Sequence, residues 1–138
     1  MSRVINSDSP GQIRNRLLKL VSNTISQINQ NNLEADELND AIAFIVLSLM
    51  EIERTIAMTT APWEKREYWV KADQFRSEWH WVGEITNNLK RSMTDKGWIR
   101  MPQEISILKD KVNEFETSKR IPGNEFWKGA YSVLRQRK

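Results

Sequence analysis

The sequence predicts an all-α fold, a single-domain bundle of four to five helices whose main rod is a long, tryptophan-rich third helix. Three observations predict it. Apolar residues recur at spacings of three and four over most of the chain, the period of a helix with one buried stripe. Glycine and proline are scarce, five and four in 138 residues, and they stand where helices would begin or end. Four of the six tryptophans, Trp63, Trp69, Trp79 and Trp81, fall between Pro62 and Trp81.

Asp8-Ser9-Pro10 opens the first helix, predicted over 10–29, with a short oxygen-bearing side chain as cap and proline at the first position. Ile13, Leu17, Leu20 or Val21, Thr24 and Ile28 form its apolar stripe, and Asn29 to Asn32 end it. The second helix is predicted over 34–59, with Glu34, Asp36 and Glu37 where the helix dipole favours negative charge. Leu38, Ala41, Ile42, Ile45, Leu49, Ile52 and Ile56 make one side, while Phe44, Val46, Leu47 and Met50 spread over the others. A helix apolar nearly all round is buried nearly all round, so this one should be central.

The third helix is predicted over 62–95, starting at Pro62, a rod of about 50 Å at 1.5 Å per residue. Tyr68, Ala72, Phe75, Trp79, Val82, Thr86, Leu89 and Met93 form its main core face. Trp63, Val70, Trp81 and Ile85 form a second, narrower one. Gly83 or Asn87-Asn88 are the places where it would break. Lys96-Gly97 reads as its stop, with glycine free to take positive φ. A fourth helix is predicted over 102–118, with Met101, Ile105, Leu108, Val112 and Phe115 on one side. A last one over 124–136 follows Ile121-Pro122-Gly123 and docks through Trp127, Ala130 or Tyr131, and Leu134.

A chain of 138 residues is of ordinary single-domain size, 1–138, and such a chain buries about two-thirds of its unfolded surface. Hydrophobic and charged fractions of 39% and 28% are those of a globular protein. The absence of cysteine excludes disulfides, thiol catalysis and thiolate metal sites. The first residues carry no apolar signal segment, and the most apolar run, Ala41 to Met50, has about half the length that a membrane span needs. The expectation is a soluble cytoplasmic protein with no membrane role.

Net charge is +3, but it is unevenly spread. Residues 1–33 carry Arg3, Arg14, Arg16 and Lys19 against Asp8, residues 34–64 are strongly acidic, and residues 85–138 are again basic. Either the acidic second helix lies beside basic neighbours, or the basic ends form a surface for an acidic partner or nucleic acid. Arg14, Arg16, Lys19, Lys90 and Arg91 are the candidate nucleic-acid contacts.

No recognised catalytic motif is present. There is no phosphate-cradling glycine loop, His-Glu-x-x-His or serine elbow, and one histidine without cysteine leaves no common zinc set. The expectation is no catalytic residue, no cofactor and no metal. Asp73, Arg76, His80 and Glu84 share one side of the third helix; either they form the one polar group that could serve a catalytic or metal role, given a concave pocket around them, or they are the pairs one turn apart that exposed helices show routinely, the reading favoured here.

Trp69 fits neither apolar side and falls among charges, with Lys65 and Arg66 one turn before it. Either the first helix or the C-terminal segment covers it, or it stays near water as an anchor for a protein partner or a stacking platform for a base. Stacking modules for nucleic acid are mostly sheets or barrels, which favours protein. Arg66, Trp69, Arg76 and His80 are therefore the candidate partner-binding residues.

Ser7-Asp8-Ser9-Pro10-Gly11 near Arg14-Asn15, with Trp63-Glu64-Lys65-Arg66-Glu67-Tyr68-Trp69 and the run from Lys71 to Trp79, resembles a set of small helical bacterial proteins without an assigned function. The resemblance spans most of the chain and implies an all-helical fold. The sequence thus points to a non-catalytic interaction module that engages a protein partner or a copy of itself, with nucleic-acid binding as the alternative.

Overall fold

The structure, a computed structural model, describes residues 9–30, 33–94, 97–98, 101–113 and 126–137. Six helices carry these residues: α1 (Pro10–Gln30), α2 (Ala35–Lys65), α3 (Trp69–Glu78), α4 (His80–Ser92), α5 (Met101–Val112) and α6 (Ala130–Arg137). Between α4 and α5, β1 (Met93–Thr94) and β2 (Gly97–Trp98) form a two-residue antiparallel pair, Met93 opposite Trp98. The all-α class holds; the count of four to five helices and the long third helix do not.

Helix α1 begins as its residues dictate. The Ser9 hydroxyl accepts from the Gln12 amide at 3.2 Å while the Gln12 side chain accepts from the Ser9 amide at 2.8 Å, the reciprocal cap that satisfies two orphan donors. Pro10 follows at the first position, where no N–H is needed.

Helix α2 is the centre, 31 residues packed against α1, α3, α4 and α6. Ala41, Ile42, Ala43, Ile45, Val46, Leu49 and Ile52 are buried on several sides, as the all-round apolar pattern requires. Leu18, Val21 and Ile25 of α1, Val82, Ile85 and Leu89 of α4, Ile105, Leu108 and Val112 of α5, and Leu134 of α6 complete one core. Helix α6 is fixed from both sides. Trp127, buried just before it, donates its indole N–H to Gln27 at 3.0 Å, and the Asp40 carboxylate accepts from the Gly129 and Tyr131 amides at 3.0 and 3.1 Å.

The predicted third helix is where the structure differs most. Pro62 does not open it; α2 continues through Pro62 to Lys65. A proline this near a helix C-terminus removes a single ladder hydrogen bond, a loss the well-anchored rod tolerates. The chain then reverses at residues 66–68, so that α3 and α4 return along α2. Helix α3 starts at Trp69, and the returning rod breaks again at Trp79, which has φ −107° and ψ 9°. Neither Gly83 nor Asn87-Asn88 interrupts it.

The break rearranges the aromatic faces. Residues two apart on a helix point about 200° apart, yet at the break the Trp79 and Trp81 rings lie 5.9 Å apart between centroids. Trp79 also meets Phe75 at 6.2 Å. Ala72, Val82, Thr86 and Leu89 are buried as the main face predicts, and Ile85 as the second does, but Tyr68 and Val70 are exposed. The predicted end of the fourth helix beyond residue 113 and residues 124 and 125 of the last one lie outside the described residues; residues 126–129, predicted as helix, form turns, and α6 starts only at Ala130.

Candidate partner-binding surface

The reversal between α2 and α3 contains no glycine. Its hydrogen bonds are those of a Schellman turn: the Tyr68 amide donates to the Trp63 carbonyl at 2.8 Å and the Glu67 amide to the Glu64 carbonyl at 3.0 Å. That geometry puts Glu67 in the left-handed region, φ 62°, where helix ends prefer glycine because a Cβ crowds the neighbouring carbonyl. Strain of this kind survives where its surroundings hold it.

What the turn presents is apolar. Tyr68, Trp69 and Val70 follow in succession and keep 50%, 55% and 71% of their surface exposed. They make up three of the six large hydrophobic side chains exposed among the described residues, and Met58, a fourth, is on the last part of α2. Single exposed hydrophobics are ordinary, whereas three in succession at one turn are a concentration of apolar surface.

The patch is braced from behind. The Trp63 ring, on the last turn of α2, meets Phe75 of α3 edge to face at 5.5 Å, and the Lys71 ammonium lies 4.5 Å from the Trp63 centroid. Arg76 of α3 forms ion pairs with Glu64 of α2 and with Asp73 one turn before it, the latter at 2.9 Å. Arg14 reaches in from α1, its guanidinium 5.0 Å from the Phe75 centroid and 5.1 Å from that of Trp79. These contacts hold the start of α3 although Ala72 is its one fully buried residue.

The candidate partner residues are thereby sorted. Arg66 and Trp69 are together at the exposed turn, and Arg76 is half-buried behind it in the ion pairs. His80 is elsewhere, at the start of α4, exposed, with Nε2 4.0 Å from the Glu84 carboxylate. It borders a shallow cleft of about 310 Å³ lined by Glu53, Ile56, Arg76, Trp79, His80, Gly83, Glu84 and Asn87. A side chain at Gly83 would stand 2.9 Å from Glu53 Oε2, so the bare glycine leaves room for that carboxylate. Among the described residues no three His, Asp or Glu side chains are placed to hold a metal ion.

The candidate nucleic-acid residues are not all at the surface. Arg14 is a correction: it is buried, 8% exposed, and its Nη1 donates to the hydroxyls of Thr55 at 3.2 Å and Thr59 at 3.4 Å. Burial lowers its pKa from the ordinary arginine value, since water no longer solvates the cation. Arg16, Lys19, Lys90 and Arg91 are exposed, two on α1 and two on α4, and α5 packs against both of those helices.

Tyr68, Glu67 and Val70 are missing from the sequence-based candidates. The signal was present: three consecutive bulky residues at a helix start cannot all face one side, because successive side chains turn by about 100°. No helix among the described residues is long and apolar enough to cross a membrane. No family profile matches the chain, and no curated protein or solved structure matches it either.

Proposed function

We propose that this protein is a non-catalytic binding module that docks a protein partner through the turn between α2 and α3. The observation that carries the reading is the exposed succession Tyr68-Trp69-Val70 on a strained turn. Tyrosine, tryptophan and arginine are the residue types that dominate binding energy at protein interfaces, and here Arg66, Tyr68 and Trp69 stand within four positions. Because Trp63, Phe75 and Arg76 brace the turn, little freedom is lost when a partner closes over it, which favours affinity.

The test is site-specific photo-crosslinking in the cell. A photoreactive residue in place of Val70 is expected to give an adduct of discrete mass, lost in the Trp69→Ala background. The same group in place of Ile107, an exposed residue of α5, is expected to give none. No adduct from position 70, or an adduct indifferent to Trp69, would refute the reading.

A further inference from the structure

We infer that the docked segment of the partner runs on from the turn along the outward face of α3 and is basic there, with an apolar residue against Trp69 and Val70 and lysine or arginine over Asp73 and Glu78; this rests on the docking role proposed above and specifies its occupant.

The face follows from helical spacing. Val70, Asp73, Gln74, Ser77 and Glu78 recur at intervals of three and four, so they share one stripe of α3, and together they line a shallow cleft of about 490 Å³. All five are exposed, whereas Ala72, Phe75, Arg76 and Trp79, on the opposite side, are buried or half-buried. Val70 opens the stripe and closes the exposed run Tyr68-Trp69-Val70, so the cleft is continuous with the turn.

Charge selects what lies there. Of the described residues lining the cleft, two are carboxylates and none is a cation. Glu78 makes no ion pair with any described residue. Asp73 engages Arg76 through Oδ1 at 2.9 Å, yet its side chain stays 77% exposed and open to a second donor. The cations nearest in sequence are held elsewhere. Lys71 lies on the Trp63 ring, Arg76 pairs with Glu64 and Asp73 behind the stripe, and Lys65 and Arg66, exposed at the turn, do not line the cleft. An acidic segment would set like charges against these carboxylates, which opposes docking. A basic one gains charge-assisted hydrogen bonds, bidentate ones where the residue is arginine.

The same stripe disfavours a second copy as occupant, since a two-fold pairing of this face sets its carboxylates against themselves. It also fixes a spacing. Val70 and Glu78 are eight positions apart, about 12 Å along the helix, a distance that an extended segment covers in about four residues.

The experiment is a selection of random sixteen-residue displayed peptides on the full chain, followed by titration of a synthetic representative. The inference expects enriched peptides that place Lys or Arg about four positions from a large apolar residue. Their affinity should fall about tenfold or more with Trp69→Ala and several-fold with Glu78→Gln, and it should weaken with added salt. Glu78→Gln breaks no ion pair among the described residues, and the circular dichroism and thermal midpoint of each variant establish that it remains folded.

Peptides that require Trp69 but are neutral or acidic, or that are indifferent to Glu78→Gln, would overturn the basic occupant and leave the docking role standing. Peptides that bind regardless of Trp69, or no enrichment at all, would remove both. A concentration-dependent mass lost in Trp69→Ala would overturn the inference in favour of self-association.

Discussion

The Arg14 guanidinium lies 5.1 Å from the centre of the Trp79 ring, so the N-terminal part of α1 is docked on the break between α3 and α4 by a buried cation. Its hydrogen bonds to Thr55 and Thr59 tie the same group to α2. Arg14→Ala removes the stem packing, both hydrogen bonds and the ring contacts, with an expected loss of about 2–4 kcal/mol. Arg14→Met keeps an apolar stem of similar reach and discards a desolvated charge, so its loss should be about 1 kcal/mol or less. Denaturant unfolding of the two variants measures the difference, and equal losses would show that the charge itself is what docks α1.

Glu67 occupies the left-handed position of the turn at φ 62°. Glutamate there costs about 1–2 kcal/mol relative to a residue without Cβ, partly offset by the greater chain entropy of glycine when unfolded. Glu67→Gly should therefore stabilise the fold by roughly 0.5–1 kcal/mol, read as a rise of a few degrees in Tm. A lower Tm would mean that the Glu67 side chain makes a contact worth more than the strain.

Asp40 holds α6 by accepting two backbone N–H groups, those of Gly129 and Tyr131. Removing such a cap costs about 1–2 kcal/mol. In Asp40→Ala, hydrogen exchange at the Gly129 and Tyr131 amides should accelerate by about tenfold or more, while the α2 core amides from Ile42 to Ile52 keep their protection. Uniform acceleration across α2 and α6 would show instead that α6 is not a separate unit.

Arg54 donates from Nε to both carboxylate oxygens of Glu51 at 3.1 Å. That hydrogen bond is the largest reason the Glu51 pKa lies below the usual carboxylate range, opposed by partial burial and aided by the charges of Arg54 and Arg137; the Arg54 pKa is raised in turn, first by the same bond. A carboxyl whose folded pKa is depressed stabilises the fold above its unfolded pKa, and that contribution disappears as pH falls through the folded value. The window is therefore acidic, beneath the usual carboxylate range. Carbon NMR titration should place the Glu51 midpoint lower in the wild type than in Arg54→Gln; coincident midpoints would contradict the assignment.

Much of the fold was legible because α2 is apolar on every side and because Ser9-Pro10 is an unambiguous helix start. Trp127 and Leu134 are buried as expected, although Trp127 sits in the turn before α6 and not on the helix itself. The reversal at 66–68 was hidden because its left-handed residue is a glutamate, and the only nearby breaker, Pro62, lies within a helix and not at its beginning. The break at Trp79 was hidden for a related reason: a continuous helix already places Phe75 and Trp79 on one face, so periodicity gave no sign that Trp81 would join them. Of the candidate residues, the exposure of Trp69 was legible in the mismatch of an aromatic among charges, and Arg66 beside it is exposed as well. Tyr68 and Val70 were assigned to core faces that exist only if the rod runs straight through them. Arg14 was misjudged because a cation one turn into a helix is normally solvated, and nothing local reveals Thr55, Thr59, Phe75 and Trp79 around it.

The central claim is that Trp69 serves the surface and not the core, and equilibrium unfolding of Trp69→Ala beside Trp79→Ala tests it most directly. Trp69 is more than half exposed, so its removal should change stability by about 0.5 kcal/mol or less. Trp79, packed on Phe75, Trp81 and Arg14, should cost about 2 kcal/mol or more. A loss of several kcal/mol in Trp69→Ala, comparable with that of Trp79→Ala, would make Trp69 part of the packing and contradict the docking surface.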